Sequence, residues 1–133
     1  MELVKAVGEA IGDRNVSLKL SPFGLHNDMA DEARFETWSA LLRKLKKEVP
    51  VVSYVAFVEP RMEELSGNEE FEKSWGKERD VNLGWATEIL RDTPVMSAGG
   101  WDGENIWGVV EGGRADMCAF GRWFIANPDM PDR

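Results

Sequence analysis

The sequence predicts an α/β protein with a parallel β-sheet. Helical apolar patterns alternate with short apolar strand patterns along the chain, an order typical of right-handed β–α–β crossovers. Residues 51–58 form a nearly continuous apolar run rich in β-branched side chains, as expected of a strand buried in a parallel sheet. Two further apolar runs, residues 94–98 and 115–120, each lead into glycine. Glycine has no Cβ, so an anion can approach the backbone N–H groups where these two strands end.

The first half of the chain alternates two predicted helices with two predicted strands. Each helix shows an apolar face at helical spacing, and glycine or proline follows each element. Lysines in the last turn of the second helix suit the negative end of the helix dipole, and Pro50 prevents its continuation. The predicted elements are helix 1–11, strand 15–20, an irregular loop 25–32, helix 33–47 and strand 51–58.

The second half begins with a polar, acidic stretch that has no clear periodicity. We interpret it as a solvated loop, because it lacks the spacing of a calcium-binding loop.

Trp38, Trp85 and Trp107 occupy apolar helical positions, so we expect them to pack helices onto the sheet. The predicted elements are loop 62–79, helix 82–91, strand 94–98, helix 104–111, strand 115–120 and a short helix that begins near residue 123.

The last strand–helix–strand unit carries a pattern that favours binding of a phosphate, most simply one that belongs to a cofactor. Gly99, Gly100 and Gly121 follow the two strands, and Arg122 adds a guanidinium fork. A helix that begins at Trp123 directs its positive end to the same place. In a (β/α)8 barrel, such a site forms from the loops after the seventh and eighth strands. A small four-stranded layer and half of a barrel both remain open, and the phosphate pattern favours the half barrel.

Composition narrows the possible functions. The chain has 133 residues, of which 43% are hydrophobic and 30% charged, as in one globular domain or part of one. Its net charge of −8 argues against nucleic acid or an anionic membrane as a general partner. Because there is one cysteine and one histidine, a thiolate or histidine metal site is not expected. The sequence shows no signal-peptide pattern and no membrane-length apolar run, so we expect a cytoplasmic protein.

Four motifs cover nearly the whole chain. They are VSLKLSPFG (16–24), VEPR (58–61), PVMSAGGWD (94–102) and ADMCAFGRWFIANPDMPDR (115–133). In order and spacing they resemble the C-terminal half of the old yellow enzyme family, which comprises flavin-dependent NADPH dehydrogenases and ene-reductases. The resemblance implies that residues 1–133 form the C-terminal half of a (β/α)8 TIM barrel, with four βα units corresponding to strands five to eight. It further implies flavin mononucleotide (FMN) as cofactor and NADPH as reductant of the complete enzyme, which reduces activated alkenes.

The resemblance also suggests site residues. It places Lys19 beside the pyrimidine side of the flavin, where the family has arginine; lysine keeps the charge but lacks the planar fork. It maps the family's phosphate contacts onto Gly99, Gly100, Gly121 and Arg122, in agreement with the pattern found from the residues alone. No catalytic or metal-binding residue is assigned, because the family's substrate-anchoring pair and its proton-donating tyrosine lie in the N-terminal half.

Three hypotheses follow from the short chain. The first is the phosphate-binding half of an FMN-dependent oxidoreductase, inactive alone. The second is a non-catalytic half barrel that associates with itself or with another chain through its open sheet edges. The third is a fragment, either a truncated gene product or a partial gene model.

Overall fold

A computed structural model describes residues 1–24, 31–59 and 82–132 of the chain. They form four parallel strands with helices packed on one face of the sheet. Among these residues, no helix has both the length and the apolar character needed to cross a bilayer. The helices are α1 (Glu2–Ile11), α2 (Arg34–Glu48), α3 (Gly84–Leu90), α4 (Trp107–Val110) and α5 (Arg122–Ala126), and the strands are β1 (Ser17–Leu20), β2 (Tyr54–Val58), β3 (Val95–Ala98) and β4 (Met117–Ala119).

The helices and strands predicted within the described residues are all present, with boundaries shifted by a few residues. The strands are shorter than their apolar runs because pairing begins late. In the run 51–58, pairing with the β1 side begins at Ser53, whose N–H donates to the carbonyl of Val16 at 2.7 Å. The loop 62–79 and most of the loop 25–32 lie outside the described residues, as does His26.

The sheet has the order β1-β2-β3-β4, and every neighbouring pair is parallel. Strands that follow each other in sequence therefore lie side by side, as successive βα units of a barrel do. On one face, Val55, Phe57 and Val95 are fully or almost fully buried against the helices. The helices contribute Leu42, Leu45, Ala86, Leu90 and Val109 to this core.

The opposite face of the sheet, which we call the inner face, carries no helix within the described ranges. The register aligns Lys19 with Ala56, Ala56 with Met96 and Met96 with Met117 on this face. Most of these side chains are half-buried or exposed. In a closed barrel this face is the interior, so the arrangement agrees with the expected partial barrel.

One sequence expectation about an apolar side chain needs correction. Trp107 was expected in the core, but it is 67% exposed and its indole N–H donates to the carbonyl of Gly103 at 2.9 Å. α4 is a single turn whose Val109 faces the core, and a residue two positions earlier points to the opposite side of a helix. The apolar face of α1 is also largely exposed, with Leu3 at 77%. Trp85, in contrast, packs edge-on against Phe35 and Phe57 as expected.

Candidate functional site

A cavity of about 320 Å³, here called the strand-end cavity, lies where the strands end at their carboxyl side. This is where parallel α/β sheets bind ligands. It contains every residue that the sequence analysis selected: Lys19, Gly99, Gly100, Gly121 and Arg122. Its other lining residues are Val58, Ala98, Trp101, Ala119, Phe120 and Trp123. Residues from three separate stretches of sequence thus converge as predicted.

The loop after β3 requires glycine for two reasons. Gly99 has a φ of 125° and Gly100 a φ of 74°, values that side chains rarely tolerate. In addition, a Cβ on Gly99 would lie 2.9 Å from the carbonyl oxygen of Glu59. The backbones approach this closely because the Glu59 N–H donates to the carbonyl of Ala98 at 2.8 Å.

The loop after β4 makes different demands. Gly121 has a φ of −110°, and a Cβ built on it meets nothing within 4 Å. The fold therefore does not require glycine here, although the absence of a side chain leaves the cavity open. Arg122 begins α5, which has only 5 residues. Because this helix is little more than one turn, the helix dipole expected near Trp123 contributes less than the sequence suggested.

The electrostatics of the strand-end cavity suit an anion. Lys19 comes from β1 and Arg122 from the start of α5, and both side chains line the cavity. None of the described lining residues is acidic, although the whole chain carries a net charge of −8. A local excess of positive charge in an acidic protein favours capture of a phosphate or carboxylate at this point.

A buried polar chain supports the floor of the cavity. Glu59, Ser97 and Trp101 are all at least nine-tenths buried. The Trp101 indole N–H donates to the Ser97 hydroxyl at 2.8 Å, and that hydroxyl donates to a carboxylate oxygen of Glu59. Buried polar groups need such hydrogen-bond partners. The hydrogen bonds from Trp101 to Ser97 and from Ser97 to Glu59 therefore fix the Trp101 side chain below the glycine loop. Glu59 and Ser97 were not predicted from the sequence, because the contact joins residues 38 positions apart.

A second network holds the outside of the same loop. The side chain of Asp102 accepts hydrogen bonds from the N–H groups of Glu104 (2.9 Å) and Asn105 (3.0 Å). Asn105 accepts from the Asp102 N–H at 2.9 Å and donates to the Gly100 carbonyl at 3.1 Å. This pair was not predicted from the sequence. Asp is a preferred cap residue, but the sequence lacks the Glu or Gln three residues later that marks a capping box.

Comparison with known proteins places this geometry in a family. Residues 1–133 match the family described as NADH:flavin oxidoreductase / NADH oxidase. The chain is 33% identical over 133 residues to 12-oxophytodienoate reductase 1 of Oryza sativa subsp. japonica, covering 100% of this chain and 32% of that protein. It is 31% identical over 140 residues to the flavin oxidoreductase hxnT of Emericella nidulans, covering 100% of this chain and 36% of that protein.

A solved structure shows the same fold. Morphinone reductase in complex with tetrahydroNAD superposes with a TM-score of 0.73 at 26% identity, covering 99% of this chain and 31% of that one. The chain therefore spans about a third of the length of these relatives. The partial TIM barrel expected from the sequence is confirmed, and so is the resemblance to the old yellow enzymes.

Proposed function

Because the chain belongs to the NADH:flavin oxidoreductase / NADH oxidase family, we propose that it supplies the phosphate-binding half of an FMN site. One observation carries the proposal: the strand-end cavity is lined both by a glycine loop and by two cationic side chains. In this loop, a Cβ on Gly99 would collide with the Glu59 backbone. The proposal treats residues 1–133 as the C-terminal half of one barrel domain. We also propose a cytoplasmic location. A chain with one cysteine can form no intrachain disulfide, which suits a reducing compartment.

Each residue has a distinct task in the proposed site. Arg122 offers a charged fork that matches two phosphate oxygens. Gly99 and Gly100 let the phosphate approach the backbone closely. Lys19 places a positive charge near the ring, where it favours negative charge on the flavin. When bound, FMN supplies the hydride transfer to an activated alkene, and the protein contributes position and electrostatics.

The reductant and substrate belong to the complete enzyme. We propose a nicotinamide cofactor, NADPH by family resemblance, which the tetrahydroNAD complex of morphinone reductase supports. We assign no catalytic residue within residues 1–133, and we expect this chain alone to show little or no ene-reductase turnover. Robust turnover of an activated enone by the purified chain would contradict this part of the proposal.

The first experiment is a titration of FMN with the purified chain, followed by flavin fluorescence. We expect saturable binding that Arg122→Ala weakens about 10- to 100-fold, because charge-assisted hydrogen bonds contribute about 1.5–3 kcal/mol each. Arg43→Ala is the matched control, since Arg43 is exposed on α2 and does not line the cavity. Equal loss of affinity in both variants, or no binding by the folded chain, would rule out the proposed site.

A second candidate function is association of the half barrel with a second copy of itself. The observation that favours it is the inner face, which is apolar around Ala56, Met96 and Met117 and is not covered by any described helix. Among the described residues, no strand pairs with the outer edge of β1 or of β4. Exposed edges and apolar faces favour association.

A further inference from the structure

We infer that Asn105 is a positioning residue for the strand-end cavity. Its side chain holds the Gly100 carbonyl so that this carbonyl points away from a bound anion. This inference rests on the proposed function and goes beyond it, because Asn105 does not line the cavity. The residue acts through the peptide that joins Gly100 to Trp101.

The Gly100–Trp101 peptide has conformational freedom at its Gly100 end. Gly100 has a positive φ and lacks a side chain, so little in the local sterics at this end opposes rotation of the peptide. A rotated Gly100–Trp101 peptide would direct its carbonyl oxygen into the cavity. The negative end of that dipole would repel a phosphate.

The side chain of Asn105 prevents this rotation. Asn105 donates from its side-chain nitrogen to the Gly100 carbonyl at 3.1 Å. Its other terminus is also used, since its oxygen accepts from the Asp102 N–H at 2.9 Å. An N–H can only donate and a carbonyl can only accept, so these two partners define the orientation of the amide. The amide is therefore a fixed clamp.

The orientation of the Gly100 carbonyl also fixes the N–H of the same peptide. No peptide bond among the described residues is cis, and in a trans peptide the C=O and the following N–H point in opposite directions. Because Asn105 holds the Gly100 oxygen on its own side, the peptide directs its N–H side away from Asn105. The Trp101 ring anchors the other end of this peptide through Ser97 at 2.8 Å. The site is thus pre-organised for negative charge before a ligand arrives.

The test compares FMN with riboflavin, which lacks the phosphate. In the wild-type chain we expect FMN to bind more tightly. Asn105→Ala should weaken FMN about three- to tenfold, the size expected for one hydrogen bond, and leave riboflavin unchanged. Asn105→Asp should weaken FMN at least as much, since it keeps the acceptor for Asp102, has no donor for Gly100 and adds a negative charge beside the loop. The matched control is Asn15→Ala, which removes a side-chain amide bond to the Ile11 carbonyl away from the cavity.

The ratio of the two affinities separates positioning from general damage. A variant that merely unfolds the loop would weaken both flavins, and an unchanged FMN-to-riboflavin ratio in both Asn105 variants would overturn the inference while the proposed function stands. If neither flavin binds the wild-type chain, the proposed function fails. Inorganic phosphate then serves as the probe, with the Trp101 amide followed by NMR. A phosphate-induced shift that both Asn105 variants lose supports the inference, and a shift that persists, or none at all, overturns it.

Discussion

Gly99 and Gly121 follow consecutive strands and line the same cavity, but the backbone needs glycine only at the first position. We expect Gly99→Ala to destabilise the protein by about 1–3 kcal/mol, because the residue has a φ of 125° and the new Cβ would lie 2.9 Å from the Glu59 carbonyl oxygen. Gly121→Ala is the matched control and should stay within about 0.5 kcal/mol, since nothing lies within 4 Å of its Cβ. Urea unfolding of the two variants measures the difference. Equal stability would show that the loop after β3 adapts.

At the scale of residues, the sequence predicts the side chains that could bind a ligand better than the side chains that hold the binding residues in place. The cavity residues Gly99 and Arg122 could be predicted because glycine and arginine after a buried strand have a direct chemical meaning. The hydrogen bonds that join Glu59, Ser97 and Trp101 could not be predicted, since they depend on the pairing of β2 with β3. Phe57 and Ser97 are register partners, and only that register brings the hydroxyl beside Glu59.

At the scale of elements, the ion pair between Lys5 of α1 and Glu48 of α2 predicts a dependence on pH. Their charged atoms lie 2.6 Å apart. The hydrogen bond from Lys5 lowers the pKa of Glu48 below its ordinary value of 4.5, and the charges of Lys5 and Lys44 lower it further. A lowered pKa contributes stability that is present above about pH 4.5 and is lost as the pH falls through the folded-state pKa.

We therefore expect Glu48→Gln to melt below the wild type at neutral pH, and the difference to disappear as the pH falls from about 5 towards 3. Thermal melts across this range measure the effect. Glu88→Gln on α3 serves as control, because Glu88 is exposed and takes part in none of the ion pairs found within the described ranges. A difference between wild type and Glu48→Gln that persists at low pH would show that the pair does not tie α1 to α2.

The elements themselves follow from periodicity, but their partners do not. The apolar spacing in residues 1–11 correctly predicts helix α1. It also identifies an apolar face, and in the structure Leu3 on this face is 77% exposed. Periodicity reports that a face is apolar and carries no information about what covers it. The same limit explains Trp107, whose position in a predicted helix did not reveal that α4 is a single turn.

At the scale of the whole molecule, the sheet has the parts of a barrel without closure. In the described part of the chain its four strands run parallel in sequence order, and there β1 and β4 are the edges. A barrel of this type closes with eight strands. Two copies related by a twofold axis along the barrel would place β4 of one protomer beside β1 of its partner in parallel.

We therefore expect the isolated chain to form a concentration-dependent dimer in sedimentation equilibrium. Ile125 is 83% exposed on α5, next to the β4 edge, so Ile125→Glu should shift the equilibrium towards monomer by placing a charge in the interface. Arg43→Glu, an equally charge-altering change on the outer surface of α2, should leave it unaltered. A stable monomer at tens of micromolar would contradict self-association. It would mean that the four-stranded sheet stays folded with its inner face in water, so the flavin titration would then report on a single half site.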